Sequence, residues 1–146
     1  MPALARGPGP LRLRLAAPSL PAQLPTVRGR LAEWAEAVGL GTDTVDDLVL
    51  ATHEALANIA DHAYPDGEGE AFVDAECQDG TAIVVVRDLG QWRAPREDPG
   101  WRGRGLAIIY GLADHVDVRH GVGGTTVEMQ WPVPQPEGRR PHFRRT

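Results

Sequence analysis

Leu11-Arg12-Leu13-Arg14-Leu15 alternates strictly between apolar and basic side chains, the pattern of a half-buried strand with its leucines turned inward. The period then changes. Pro18 to Pro25 marks a turn and a helix start, and Leu24, Val27, Leu31, Trp34 and Val38 recur three or four apart as one apolar stripe. This predicts a helix to about Val38, stopped by Gly39 and Gly41. Thr42 or Thr44 can cap a second, longer helix, about Thr44 to Ala63, with Asp46 and Asp47 in its first turn. Its core-facing positions are Val45, Leu48, Val49, Thr52, Leu56, Ile59 and Ala63, and Pro65-Asp66-Gly67 ends it. Alternation returns over about Glu70–Cys77 and Thr81–Arg87, joined by a Gln78-Asp79-Gly80 turn. The run Ala82-Ile83-Val84-Val85-Val86 reads as a central strand buried on both faces, or nearly so. A third helix starts near Gly103–Leu106 and ends near Leu112; Asp114–His120 and Thr125–Trp131 then close a hairpin around Gly121-Val122-Gly123-Gly124.

The order strand, helix, helix, strand, strand, helix, strand, strand predicts an α+β fold. Its form is a two-layer α/β sandwich: a five-stranded, mixed but mainly antiparallel sheet with three helices on one face. The other face is solvated or lies against a partner. Residues 1–10, with three prolines and two glycines, are expected to be a disordered lead-in; residues 11–133 form the one domain; residues 134–146 form a flexible tail with Arg139, Arg140, Arg144 and Arg145.

Composition narrows the function. The net charge of -5 argues against a general nucleic-acid binder, while leaving room for a polyanion held by backbone N–H groups and a metal. The one cysteine, Cys77, cannot form an internal disulfide, sits in an alternating stretch as a small buried hydrophobe, and fits a reducing cytosol. No stretch reaches the roughly 18 apolar residues of a membrane span, and the start lacks a signal peptide's apolar run. A cytoplasmic protein is expected.

Four clusters could carry chemistry. Glu54 and Asn58 stand four apart on one helix, flanking its apolar stripe. Asn58 offers an amide oxygen to magnesium, and Glu54 a general base; as a plain alternative they are a polar surface pair. His62 lies one turn on, as a neighbouring group rather than a metal ligand. Asp88 ends the most apolar strand, where a carboxylate can accept from an adenine amine, and Gly90 lets backbone approach a flat ring; the same residues also make an ordinary strand-to-loop turn. Gly103-Arg104-Gly105-Leu106 opens a helix whose free N–H groups can face a phosphate, with Arg102 and Arg104 adding charge, or is simply a glycine-rich helix start. It is neither a Walker A box nor a dinucleotide fingerprint. Thr125 and Thr126 follow the last glycine turn and could reach Asp88 or a water near it. Asp88 to Gly100, irregular and polar, is a loop long enough to invite a functional role.

Taken together these motifs resemble the GHKL (Bergerat-fold) superfamily, which takes in gyrase, a heat-shock chaperone, histidine kinases and the mismatch-repair protein MutL. Residues 19–131 are most similar to the small bacterial anti-sigma factors that are serine-protein kinases. The N-box corresponds to His53-Glu54-Ala55-Leu56-Ala57-Asn58-Ile59-Ala60-Asp61-His62-Ala63-Tyr64, the first glycine box to Val86-Arg87-Asp88-Leu89-Gly90, the second to Gly103-Arg104-Gly105-Leu106-Ala107-Ile108-Ile109, and the closing element to Gly123-Gly124-Thr125-Thr126-Val127-Glu128-Met129. The resemblance implies Glu54 as catalytic base, Asn58 as magnesium ligand, Asp88 as acceptor of the adenine amine, and a threonine joining that network, Thr126 being preferred. It implies ATP and Mg2+, transfer of the γ-phosphoryl group to a serine of a STAS-type anti-sigma factor antagonist, capture of a sigma factor, and homodimers. A nucleotide-dependent binding module without catalysis is the alternative. One position departs from the family's Asp-x-Gly-x-Gly: Trp92 replaces the second glycine, followed by Pro95, where it would stack near the base or pack the root of a short lid, Arg93 to Arg102.

Overall fold

The computed structural model describes residues 8–90 and 104–134. The expectations for residues 1–7, the lid with Trp92, Arg102 and Gly103, and the tail from Gln135 lie outside the described residues. The elements are strand β1 (Leu11–Ala16), helix α1 (Leu20–Val38), helix α2 (Thr42–Asn58) continued by a π-helical turn (Ile59–Ala63), strands β2 (Glu70–Gln78) and β3 (Thr81–Asp88), helix α3 (Arg104–Leu112), and strands β4 (His115–Gly121) and β5 (Gly124–Pro132).

The five strands form one sheet in the order β1-β2-β3-β5-β4. All four neighbouring pairs are antiparallel, so the expected sheet is realised in its antiparallel form. A period of two sorts its faces. Ala71, Val73 and Ala75 of β2, Ala82, Val84 and Val86 of β3, and Val127, Met129 and Trp131 of β5 are all buried. Against them pack Val27, Leu31, Trp34 and Ala35 of α1, Val45, Leu48, Thr52, Ala55 and Leu56 of α2, and Ile109 of α3. The helices therefore cover one face.

The opposite face is polar and paired. Arg14 donates to Glu70 at 2.9 Å, Arg119 to Asp117 at 2.7 Å, and Arg87 stacks 4.4 Å from the Phe72 ring centroid. Such exposed pairs contribute little each, and they keep this face wet. Ile83 and Val85 lie on it half-buried, so β3 is central in the sheet but fully covered on only one side.

Helix α1 begins at Leu20, inside the expected Pro18–Pro25 stretch, takes a proline into its first turn, carries Pro25 inside and ends at Val38 as expected. Three local expectations are corrected. Helix α2 is capped by Gly41 with no side-chain bond, so neither Thr42 nor Thr44 serves; both are already helical. The second helix is not uniform, because its last five residues adopt the wider π geometry. Cys77 is exposed, since inward parity near a strand end does not ensure cover. The stop at Gly39 holds: it is left-handed at φ 106°, and Leu40 N–H reaches the Ala35 carbonyl at 3.1 Å.

Candidate functional site

Asp88 is the last residue of the central strand and is 5% exposed, a rare degree of burial for a carboxylate. Period two places it on the helix-covered face with Ala82, Val84 and Val86. Its Oδ1 accepts from the Gly90 N–H at 2.8 Å. Burial pushes its carboxyl up from the ordinary value, against the Gly90 and Thr125 backbone N–H groups, which pull it down. Burial thus disfavours the charged form, the two fixed N–H donors offset part of that cost, and in this apolar setting an incoming donor is worth more than it is in water.

Register decides between the two threonines. Thr125 pairs with Asp88 and shares its face, whereas Thr126 pairs with Arg87 and lies on the open face. The preference for Thr126 is therefore corrected. The signal was in the alternation: Val127, Met129 and Trp131 set the inward parity of β5, and Thr125 shares it.

Two glycines make the surroundings of Asp88 close. A Cβ on Gly124, at φ 126°, would lie 2.0 Å from the Asp88 carbonyl oxygen. A Cβ on Gly90 would lie 2.1 Å from the Ala63 carbonyl oxygen. The second approach joins the end of β3 to the end of the helical run that carries Glu54 and Asn58.

On α2 the Glu54 and Asn58 side chains are half-buried, one turn apart, on the flank of the core stripe. Asn58 is the last α-helical residue before the π turn, a local widening that recurs at functional sites. His53 lies on another flank, its Nδ1 3.3 Å from Arg28 of α1. His62 is half-buried within the π turn. Helix α3 packs against α2 and begins at Arg104; Gly105 and Leu106 fall in its first turn, and the Trp131 indole N–H donates to the Leu112 carbonyl at 3.0 Å to fix its far end. Leu106 is half-buried against the core.

Tyr64, which sequence reasoning quoted only as the end of the N-box, also belongs to this neighbourhood. Its hydroxyl accepts from Leu89 N–H at 2.8 Å, beside Asp88. No spacing rule pointed to it.

The donors fit a magnesium nucleotide. A buried acceptor flanked by glycine suits a flat ring bearing an amine. Asn58 and Glu54 are hard oxygen donors of the kind magnesium takes beside phosphates. Among the described residues, no group of three His, Cys, Asp or Glu gathers as a metal cage. None of the described helices is long and apolar enough to cross a membrane.

Residues 17–131 match the histidine kinase-like ATPase domain. Serine-protein kinase RsbW of Bacillus cereus (strain ZK / E33L) is 28% identical over 120 residues, covering 72% of this chain and 75% of that protein. The protein of the same name from Bacillus anthracis (strain CDC 684 / NRRL 3495) is 25% identical with the same coverage. The crystal structure of the RsbU and RsbW domains of a Mycobacterium tuberculosis protein is similar with a TM-score of 0.70 and 31% identity, covering 88% of this chain. This chain spans 34% of that one.

Proposed function

The chain belongs to the histidine kinase-like ATPase domain family, within the GHKL superfamily and related to RsbW-type anti-sigma factor kinases; from that premise we propose that it is an ATP-dependent serine-protein kinase and anti-sigma factor. The observation that carries the reading is Asp88: a buried carboxylate at the mouth of the central strand, held by Gly90 N–H, with the Glu54–Asn58 helix closing against the same turn at Ala63. A plain structural turn has no need to bury an acid there.

Bound with magnesium, ATP would supply the transferable γ-phosphoryl group. Asp88 accepts the adenine exocyclic amine, and Thr125 stands beside it. Asn58 would hold the metal through its amide oxygen. Glu54 orients the serine hydroxyl of the substrate protein and takes its proton as the serine oxygen bonds to phosphorus. The bond from phosphorus to the bridging oxygen breaks, and its electron pair leaves with ADP. The start of α3 would offer backbone N–H groups to the phosphates, and Arg102, Gly103, Arg104 and Gly105 are the residues proposed to contribute there by their sequence chemistry. The protein substrate is a STAS-type anti-sigma factor antagonist, and the sequestered partner is a sigma factor. The working form is a cytoplasmic homodimer, with residues 11–133 as the ATP-binding domain.

The test has two stages. Thermal midpoints are measured with Mg-ATP, Mg-GTP and ATP plus chelator; a ligand at 100 times its Kd stabilises by about 2.7 kcal/mol. The expected result is a shift with Mg-ATP that fades with chelator and in Asp88→Asn. Phosphoryl transfer to a serine of a purified STAS-domain antagonist is then followed for wild type and Glu54→Ala. Trp92, in place of the family's second glycine, favours the second reading of a nucleotide-dependent binding module. Binding with no transfer would select that module. No shift with any nucleotide would overturn both.

A further inference from the structure

The β2–β3 ladder ends at the pair Ala71–Asp88. The next residues in register, Glu70 and Leu89, would form its next rung. They do not bond directly. The Tyr64 hydroxyl stands between them, donating to the Glu70 carbonyl at 2.5 Å and accepting from the Leu89 N–H at 2.8 Å. A side chain from the end of the helical layer thus replaces one backbone hydrogen bond, holding the strands apart one residue beyond Asp88.

The anchor side of this rung is rigid. Glu70 pairs with Ala16 of β1, and Gly69 accepts from Ala17 N–H at 2.8 Å. Gly69 also makes room for the ring: a Cβ there would lie 2.1–2.4 Å from three Tyr64 ring atoms. The other side is not anchored by packing, because the Leu89 side chain is 53% exposed. Leu89 is nonetheless the link between Asp88 and Gly90, whose N–H holds the Asp88 carboxylate. The hydroxyl is the restraint that fixes where the strand stops and the turn begins.

We propose that Tyr64 is a positioning residue of the nucleotide site, whose hydroxyl sets the aim of the Asp88 carboxylate and so the preference for a purine bearing an exocyclic amine. The inference rests on the nucleotide reading above. Without the hydroxyl, Leu89 N–H either closes directly onto Glu70 or turns to solvent. Both movements shift the Asp88–Gly90 turn.

The test compares Kd for Mg-ATP and for Mg-inosine triphosphate, which carries an oxygen where ATP carries the amine, in wild type, Tyr64→Phe, Gly69→Ala and Asp88→Asn. Tyr64→Phe should weaken ATP by about tenfold, the scale of one hydrogen bond to a charged acceptor, while inosine triphosphate changes far less. The ratio should fall toward that of Asp88→Asn. Gly69→Ala, which keeps the hydroxyl but displaces the ring, should do the same and serves if Tyr64→Phe folds poorly. In the nucleotide-free protein, amide exchange at Leu89 and Gly90 should quicken in Tyr64→Phe, with Ala75 in mid-strand unchanged. Equal weakening of both nucleotides, or an unchanged ratio, overturns the positioning role and leaves the nucleotide reading standing. A wild type that binds neither nucleotide overturns the nucleotide reading itself, and the positioning role with it.

Discussion

Alanine at Gly90 and alanine at Gly29 should change stability in opposite directions. At Gly90 the new Cβ would sit 2.1 Å from the Ala63 carbonyl oxygen and 2.7 Å from its carbon, whereas ordinary contact begins at 3.4 Å. The obstacle is backbone at the end of a packed helical run, so it cannot swing aside like a side-chain tip. Relief needs roughly 1 Å of displacement, an overpacking that costs about 1–3 kcal/mol. For a domain of this size the midpoint should fall by about 3–10 °C. Gly29 lies inside α1 with nothing within 4 Å of its Cβ position. Alanine there should stabilise by about 0.5–1 kcal/mol through helix propensity. The assay is urea unfolding of wild type and both variants, paired with Mg-ATP titration. Gly90→Ala should also bind ATP more weakly, because relieving the clash displaces the backbone N–H that holds Asp88. Gly29→Ala should bind as wild type does. A Gly90→Ala protein with wild-type stability and affinity would refute the close approach between the strand end and the helix.

Asp88→Asn should abolish most Mg-ATP binding yet leave the nucleotide-free protein comparatively stable at neutral pH. Because burial raises the folded carboxyl above its ordinary value, the contribution of Asp88 to stability is fully present below about pH 3.9 and is lost as pH rises through the raised value. The stability of Asp88→Asn relative to wild type should therefore increase with pH over that window in unfolding titrations; a difference that does not change with pH would contradict the burial argument. Glu54→Gln should retain Mg-ATP binding while serine phosphorylation falls by about 10²–10⁴-fold, measured by label transfer to the antagonist; transfer at the wild-type rate would remove Glu54 from the chemistry. Leu56→Ala, at a fully buried position on α2, should cost about 2–5 kcal/mol in denaturant unfolding.

Most of the scaffold was legible because each element carries one clear period. Alternation marked β1, β2 and β3, and the spacing of Val27, Leu31 and Trp34 marked α1. What escaped depends on contacts between elements or on backbone detail. The cap of α2 is a glycine that forms no side-chain bond, so nothing in residue chemistry announced it. The π turn leaves the apolar pattern intact, with Ile59 and Ala63 still buried, so periodicity does not see it. Asp88 and its partner face were readable from parity, and applying the same parity to β5 selects Thr125 over Thr126. Tyr64 was not readable as part of the site, because its role exists only once β2 and β3 are in register on either side of it.

The pairing of β3 with β5 has a kinetic meaning. Two hairpins, β2–β3 and β4–β5, are joined by short turns and can form locally. The β3–β5 seam joins them across α3, and β1 reaches β2 across α1 and α2. Long-range pairings of this kind close late, after the loop entropy has been spent. Thr125 comes to lie beside Asp88 only along that seam. A chain still being synthesised, or one whose two hairpins have not joined, holds the Asp88 acid without its partner strand. Competence to hold nucleotide would then arrive with the last cooperative step of assembly, and nucleotide binding would report on completed folding.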